Sequence, residues 1–249
     1  MTPYYEDESV TLYHGDFREV LPNLTIAADC LVADPPYGET SLDWDHWPDG
    51  WPTEAAKYAD SMWCFGSFRM FMDRGHEFHA WKLSQDIIWE KHNGSNLAAD
   101  RFNRVHEFAS HWYQGAWSDI YHVPPTTDDA TARAVRRKAR PAQWIVATGE
   151  NHYVSIDGGP RVARSVLYAR SMHGRAINET EKPVEFVDYM LRYAVPLNGT
   201  VLDIFSGSGS TGAAAKALGM KSVLIEKRES QCEGAAQRLS GILDFGQVS

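Results

Sequence analysis

Asp34-Pro35-Pro36-Tyr37 gathers a carboxylate, two rigid carbonyls and an aromatic ring within four residues. Proline fixes φ near about −65° and carries no N–H, so this run is extended and rich in acceptors. The Asp34 carboxylate and the Pro35 carbonyl can together accept both protons of an –NH₂ group. Tyr37 offers a π face to a planar base, a contact worth ~1–3 kcal/mol. An aromatic amine is a poor nucleophile because its lone pair is delocalised into the ring. Hydrogen bonds that draw the nitrogen toward tetrahedral geometry return that pair, so positioning and polarity can carry its attack without a covalent intermediate. The chain has no Pro-Cys pair, which methylation at a pyrimidine carbon would use. The plain alternative is a turn that ends a strand.

A second constellation is Gly207-x-Gly209-x-x-Gly212, with Glu226 further on. Glycines let the backbone approach a ligand closely, and a carboxylate ending the next strand can accept both hydroxyls of a ribose. The same glycines also suit a tight turn that merely packs. Too few residues follow Glu226 to complete a two-half nucleotide-binding sheet, so the other strands must come from earlier in the chain, in a permuted order. Asp203 stands at the approach to the loop, where it would repel a diphosphate but pair with an amine, unless it only caps a turn. S-adenosylmethionine meets these demands: ribose hydroxyls, an α-amino group, a sulfonium and no phosphate.

Elements must hold these groups. Ala28–Ala33 reads as a buried parallel strand stopped by the prolines. Ser61–Phe65 and Asp86–Trp89 are further strands, and a helix is predicted between Phe68 and Ala80. Apolar residues at Val184, Val187, Met190, Leu191 and Ala194 have helical spacing. Thr200–Phe205 reads as a strand, Gly207–Gly212 as a loop, Ala213–Leu218 as a helix and Lys221–Glu226 as a strand, together a β–loop–α–β unit.

The 249 residues carry 24 Lys+Arg against 33 Asp+Glu, a formal charge of −9. From Arg101 to Arg175 the balance reverses, with 11 basic and 6 acidic residues. Arg133, Arg136, Arg137, Lys138 and Arg140 are the densest part, which is either a solvated helix face or a phosphate-binding surface. Hydrophobic content of 43% with 12% aromatics excludes a disordered or fibrous chain. No apolar run reaches the ~18 residues of a membrane span, and the acidic N-terminus lacks the plan of a secretory signal. Cys30, Cys64 and Cys232 are too scattered for a disulfide framework or a cysteine zinc site. A cytoplasmic protein that needs no metal is expected. Trp44, Trp47 and Trp51 lie in an irregular loop, 39–52, suited to closing over a base or to packing on its own domain.

Asp34-Pro-Pro-Tyr37 together with Asp203-x-Phe205-x-Gly207-x-Gly209 resembles the amino-methyltransferases of DNA, in the permuted β-type order that puts the catalytic motif before the cofactor loop. Gly15-Asp16 is similar to the family segment whose aspartate contacts the cofactor's adenine. Asp86–Asn93 and Arg104–Glu107 resemble the segment between the catalytic strands and the recognition region. Glu181-Lys182-Pro183 resembles the family's Gln-Lys-Pro, with Glu for Gln. The likeness spans about residues 9–110 and 171–240.

It implies an α/β, Rossmann-like, circularly permuted fold dependent on S-adenosylmethionine, with a mostly parallel sheet. Residues 1–110 and 171–249 would form the catalytic domain and 111–170 an inserted target-recognition region. Asp34, Pro35, Pro36 and Tyr37 are then catalytic. Asp16, Lys182, Asp203, Phe205, Gly207, Gly209, Thr211 and Glu226 hold the cofactor. Arg133, Arg136, Arg137, Lys138, Arg140, Trp44 and Trp47 face double-stranded DNA, whose target base must leave the stack. Asp at position 34 favours adenine, because the cytosine-amino enzymes usually have Ser there. The resemblance also admits a homodimer and a restriction-endonuclease partner. The competing expectations are a cytosine-amino or RNA methyltransferase, a nucleic-acid-binding protein with a decayed site, and a nicotinamide-dependent oxidoreductase.

Overall fold

Alternation along each strand sorts the core side chains between the two faces of a nine-stranded sheet. The computed structural model describes residues 1–95, 100–137, 151–170 and 180–241. In chain order the first strands are β1 (Tyr5–Glu6), β2 (Val10–His14), β3 (Cys30–Ala33), β4 (Ser61–Gly66), β5 (Lys82–Ser95) and β6 (Arg104–Tyr113). Four short strands follow: β7 (Thr126–Thr127), β8 (Arg133–Arg137), β9 (Asn151–Ser155) and β10 (Arg161–Val162). The chain then adds β11 (Val166–Tyr168), β12 (Thr200–Asp203) and β13 (Lys221–Glu226).

The large sheet has the order β1-β2-β13-β12-β3-β4-β6-β5-β11. Its centre, β2-β13-β12-β3-β4, is parallel throughout. The flanking pairs β1–β2, β4–β6 and β5–β6 are antiparallel, and β11 adds in parallel to β5. Strand β12 lies beside β3 although the chain reaches it last but one, with Val201 opposite Cys30 and Asp203 opposite Val32. That adjacency is the expected permutation.

Leu31 and Ala33 of β3, Met62 and Cys64 of β4 and Leu202 of β12 point to one face. There they meet α1 (Phe17–Val20), α2 (Trp51–Ala55) and α3 (Phe68–Arg74) through Phe17, Trp51 and Met70. Cys30, Val32, Trp63, Phe65 and Val201 point to the other face. There α4 (Val184–Ala194) and α5 (Ser210–Ala217) bury Phe186, Val187, Met190, Leu191, Ala214 and Ala215. Helix α6 (Glu229–Gly241) closes a third cluster with Cys232, Ala235 and Leu239 against Val10, Leu12 and Leu224.

Two elements depart from the sequence expectation. The helix predicted to reach Ala80 ends at Arg74 and tightens into a 3₁₀ turn over Gly75–Phe78, because glycine holds a helix poorly. Helix α5 starts at Ser210, inside the expected loop, and absorbs Gly212. A Cβ at Gly212 would come within 2.7 Å of Leu224 Cδ1, so this glycine is what lets α5 lie close on β13.

The chain divides by contacts into Met1–Val123 with Ser165–Ser249, and a smaller unit, Pro124–Arg164. Within the smaller unit β7 pairs with β10 and β8 with β9, both antiparallel. All three cysteines are buried and free. Among the described residues no helix is long and apolar enough to cross a membrane.

Candidate active site

Parallel strands deliver their C-terminal residues to one edge of a sheet, where α/β folds form a crevice. Asp203 ends β12, Glu226 ends β13, and the chain leaving β3 carries Asp34 directly beyond Ala33. Strand β2 places His14 opposite Glu226, with Gly15-Asp16 next in line. These groups surround one cavity of about 650 Å³ lined by Asp16, Asp34, Lys182, Asp203, Phe205 and Glu226, together with Gly207 and Thr211. Asp34 and the glycine loop therefore meet across a single crevice.

The loop half is set by backbone geometry. Gly207 and Gly209 have φ of 49° and 78°, the left-handed region that side chains disfavour. A Cβ at Gly209 would also meet Ala235 Cβ at 3.1 Å. Glu226 Oε2 accepts the Gly207 N–H at 2.8 Å and Oε1 accepts the Arg228 N–H at 2.8 Å, which anchors the loop to the end of β13. Ser206 lines the cavity with a buried hydroxyl that has no hydrogen-bond partner among the described residues. Phe205 is held edge-on by Phe17 and Trp51, each with its centroid 5.4 Å away.

Asp203 accepts the Phe205 N–H at 3.0 Å and the Thr211 hydroxyl at 2.6 Å. Burial pushes its carboxyl up to about 7 against those two donors, and the charges of Asp34 and Glu226 add to the rise. Asp16 caps α1, accepting the Arg18 N–H at 3.0 Å, and accepts from Lys227 Nζ at 3.1 Å. Burial opposes its charge, yet those two partners hold its carboxyl below the usual range.

The Asp34 half is an ionic chain. Asp34 Oδ1 accepts the Tyr37 hydroxyl at 2.8 Å, and Oδ2 accepts from Lys182 Nζ at 2.6 Å. Lys182 Nζ lies 3.6 Å from Glu107 Oε2, and Lys91 Nζ donates to Glu107 Oε1 at 2.7 Å. Burial raises the Asp34 carboxyl more than Lys182 lowers it. For Lys182 the balance is opposite: burial disfavours its charge, but Asp34 and Glu107 outweigh that and keep it an ammonium. Pro36 lines the cavity, whereas Pro35 is buried and the Tyr37 ring is half-buried against the first core cluster.

Lys182, expected to hold the cofactor, lines the cavity shared with the glycine loop and is paired with Asp34 of the Asp-Pro-Pro-Tyr run. Its neighbour Glu181, the departure from the family pattern, is paired with Arg238. Arg238 also donates to Ser210 Oγ at 3.1 Å and Ser208 Oγ at 3.4 Å, so this pair staples the glycine loop to α6. Sequence reasoning assigned no role to Glu107, Lys91, Ser206, Arg228 or Arg238. Glu107 was within reach, since it stands in the Arg104–Glu107 segment, but its ion pairs connect residues far apart in the chain.

The tryptophan loop divides. Trp44 lines the cavity, and the Arg228 guanidinium lies 4.5 Å from its ring centroid. Trp47, expected to face DNA, is instead buried against Trp51 and donates its indole N–H to Glu77 at 2.9 Å, which removes it from any DNA contact. The buried Asp45 accepts from Gly38 N, Thr40 N and Thr40 Oγ1, tying the loop's start together. In the smaller unit, Arg133 and Arg136 are exposed on β8, so this part of the basic run is a strand and not a helix face. Arg137 is the last residue of that strand. Lys138 and Arg140 lie outside the described residues. Among the described residues no three His, Cys, Asp or Glu side chains group as a metal would require.

A family model described as "DNA methylase" matches residues 28–238 of the chain. The type II methyltransferase M.ScaI of Streptomyces caespitosus is 24% identical over 258 residues, covering 95% of this chain and 83% of that protein. The crystal structure of the M1.HpyAVI–SAM complex superposes with a TM-score of 0.62 at 19% identity, over 92% of this chain and 99% of the other. The PvuII DNA methyltransferase, described as cytosine-N4-specific, gives 0.61 at 13% identity over 97% and 94%. At such identities the structural likeness speaks for the fold.

Proposed function

The chain belongs to the DNA methylase family N6_N4_Mtase, and from that premise we propose that it moves the methyl group of S-adenosylmethionine to the 6-amino group of an adenine turned out of duplex DNA. The observation that carries this reading is the shared cavity. Its two halves offer acceptors for an amine at Asp34 and a glycine loop flanked by three carboxylates, Asp16, Asp203 and Glu226.

The residues present suit the cofactor. Beyond the two backbone N–H groups and the Arg228 Nε–H at 3.4 Å, Glu226 keeps a lone pair on Oε2 for ribose hydroxyls. Phe17, Phe205 and Asp16 would frame the adenine, Asp203 would face the ammonium, and the Ser206 hydroxyl would be available as a partner. When bound, the cofactor supplies an electrophilic methyl on a sulfonium. The protein's part is to accept the amine's protons at Asp34 and the Pro35 carbonyl, to hold the base against Tyr37, and to keep the nitrogen in line with the methyl. Trp44 and Arg228, packed together on the cavity wall, suit closure over the base. The Pro124–Arg164 unit, with Arg133 and Arg136 exposed, is the part suited to read the target and hold phosphates. A second copy of the chain or a restriction endonuclease as partner belongs to the same reading and rests on resemblance alone.

The test is to expose unmethylated DNA to the protein and labelled cofactor, digest the product to nucleosides and weigh the modified base. N6-methyldeoxyadenosine is expected. N4-methyldeoxycytidine would transfer the reading to the cytosine amine, the specificity described for the PvuII enzyme. Asp34→Ala is expected to abolish transfer while leaving cofactor affinity within about threefold, because Asp34 contributes to the amine and not to the cofactor. Methylation sequencing of the same DNA supplies the recognition site.

A further inference from the structure

Both oxygens of Asp34 are already engaged, one by Tyr37 and one by the Lys182 ammonium. Asp34 and Lys182 both line the cavity, so an amino group approaching Asp34 from that side meets a cation on the acceptor it needs. The conflict deepens during the reaction proposed above, because an amine nitrogen that attacks a methyl becomes positively charged. An ammonium fixed within hydrogen-bond range of the same carboxylate would oppose that charge.

The structure holds a second berth. Glu107 Oε2 is buried, accepts no hydrogen bond within normal range among the described residues, and stands 3.6 Å from Lys182 Nζ. A buried carboxylate oxygen left without a donor is unfavourable, so it attracts the nearest one. The other Glu107 oxygen is fixed by Lys91, which steadies the acceptor. Lys182 has the means to move a short way: three rotatable N–H donors, with Asp34 and the Thr180 carbonyl as its hydrogen-bond acceptors, the latter at 3.3 Å. Its ammonium also lies 5.1 Å from the Phe65 ring centroid, a favourable surface along which to shift.

We propose that Lys182 is a positioning residue that occupies Asp34 while no base is bound and passes to Glu107 Oε2 when the target amino group takes its place. No proton moves in this exchange; the ammonium trades one carboxylate for another. In the empty site Lys182 stabilises the buried Asp34 carboxylate. In the loaded site the same cation is withdrawn from the reacting nitrogen and neutralised by Glu107. The inference rests on the proposed amine methylation and assigns Glu107 a part that sequence reasoning did not.

The exchange affects entry of the base and not encounter with DNA, whose affinity comes chiefly from phosphate contacts. The experiment uses the full-length protein and a duplex carrying the site found by methylation sequencing. Glu107→Gln, which keeps the shape and loses the charge, is expected to lower kcat at least about tenfold, with DNA KM and cofactor affinity within about twofold. Glu107→Asp, which restores the charge, is expected to recover part of that loss. A merely structural role would weaken cofactor binding and folding together and would not follow the charge. A crystal structure of the wild type with the duplex and a non-reactive cofactor analogue needs no variant. It is expected to show Lys182 Nζ within about 3 Å of Glu107 Oε2 and away from Asp34. Lys182 still bonded to Asp34 beside a seated base, or an unchanged kcat in Glu107→Gln, would overturn the exchange. A wild type that transfers no methyl to any DNA would instead overturn the methyltransferase reading itself.

Discussion

Cofactor affinity should depend on pH through Asp203. Its buried carboxyl is pushed up to about 7, so in the empty protein it is half-protonated near neutrality. A cationic amine binds the carboxylate and not the acid, so binding must expel the proton. At pH 8 about nine-tenths of the molecules are ready to bind, and at pH 6 about one in eleven. The apparent Kd is therefore expected to rise about tenfold from pH 8 to pH 6, or about 1.4 kcal/mol, and to level off above pH 8. Proton release should reach almost one per cofactor at pH 6 and about one half at pH 7. Isothermal calorimetry in buffers of different ionisation heat measures both quantities at once. Asp203→Asn should weaken binding at pH 8 and remove the pH dependence. A Kd that is flat from pH 6 to pH 8, or one that tightens toward acid, would refute the pairing of Asp203 with an amine.

Three further outcomes are expected. His111 is buried between the Ser61 and Ser84 hydroxyls, 2.9 and 2.6 Å from its ring nitrogens, and burial lowers its pKa to about 3. Below pH 6.5 the unfolded chain binds a proton there that the folded one refuses. This histidine thus removes up to about 1.4 kcal/mol of stability per pH unit on acidification, and His111→Asn should flatten denaturant midpoints between pH 6.5 and pH 4 relative to wild type. Asp203 acts with the opposite sign between about 4 and about 7, because its folded-state pKa is raised, so the variant comparison is needed to isolate His111. Arg238→Ala breaks the staple between Glu181 and the serines of the glycine loop. It should cost up to about 3 kcal/mol in urea melts and weaken cofactor binding, whereas Arg133→Ala, on a different unit, should leave both unchanged. Arg133→Ala and Arg136→Ala should each weaken DNA binding and reduce the slope of log K against log salt by about one if each neutralises a phosphate.

Much of the molecule was legible along the chain because the periods of two and 3.6 residues are local. The continuous apolar run Cys30–Ala33 declares a strand buried on both faces, and the spacing of Val187, Met190 and Leu191 declares the inner face of α4, without knowledge of any partner. The Asp-Pro-Pro-Tyr run, the glycine spacing and Glu226 named both halves of the candidate site in the same way. What lay beyond the sequence was which distant segments touch. Pairing of β3 with β12 joins residues some 170 positions apart and alone brings Asp34 beside Asp203. The ionic chain through Lys182, Glu107 and Lys91 joins strands β5 and β6 to the segment that precedes α4. Trp44 and Trp47 show the same limit at short range: neighbours of one residue type in one loop, they part company because only Trp47 meets Glu77, Trp51 and the core beneath. Local periodicity is a property of the chain, but burial and charge pairing are properties of the space between segments, and that space exists only once the sheet has closed in register.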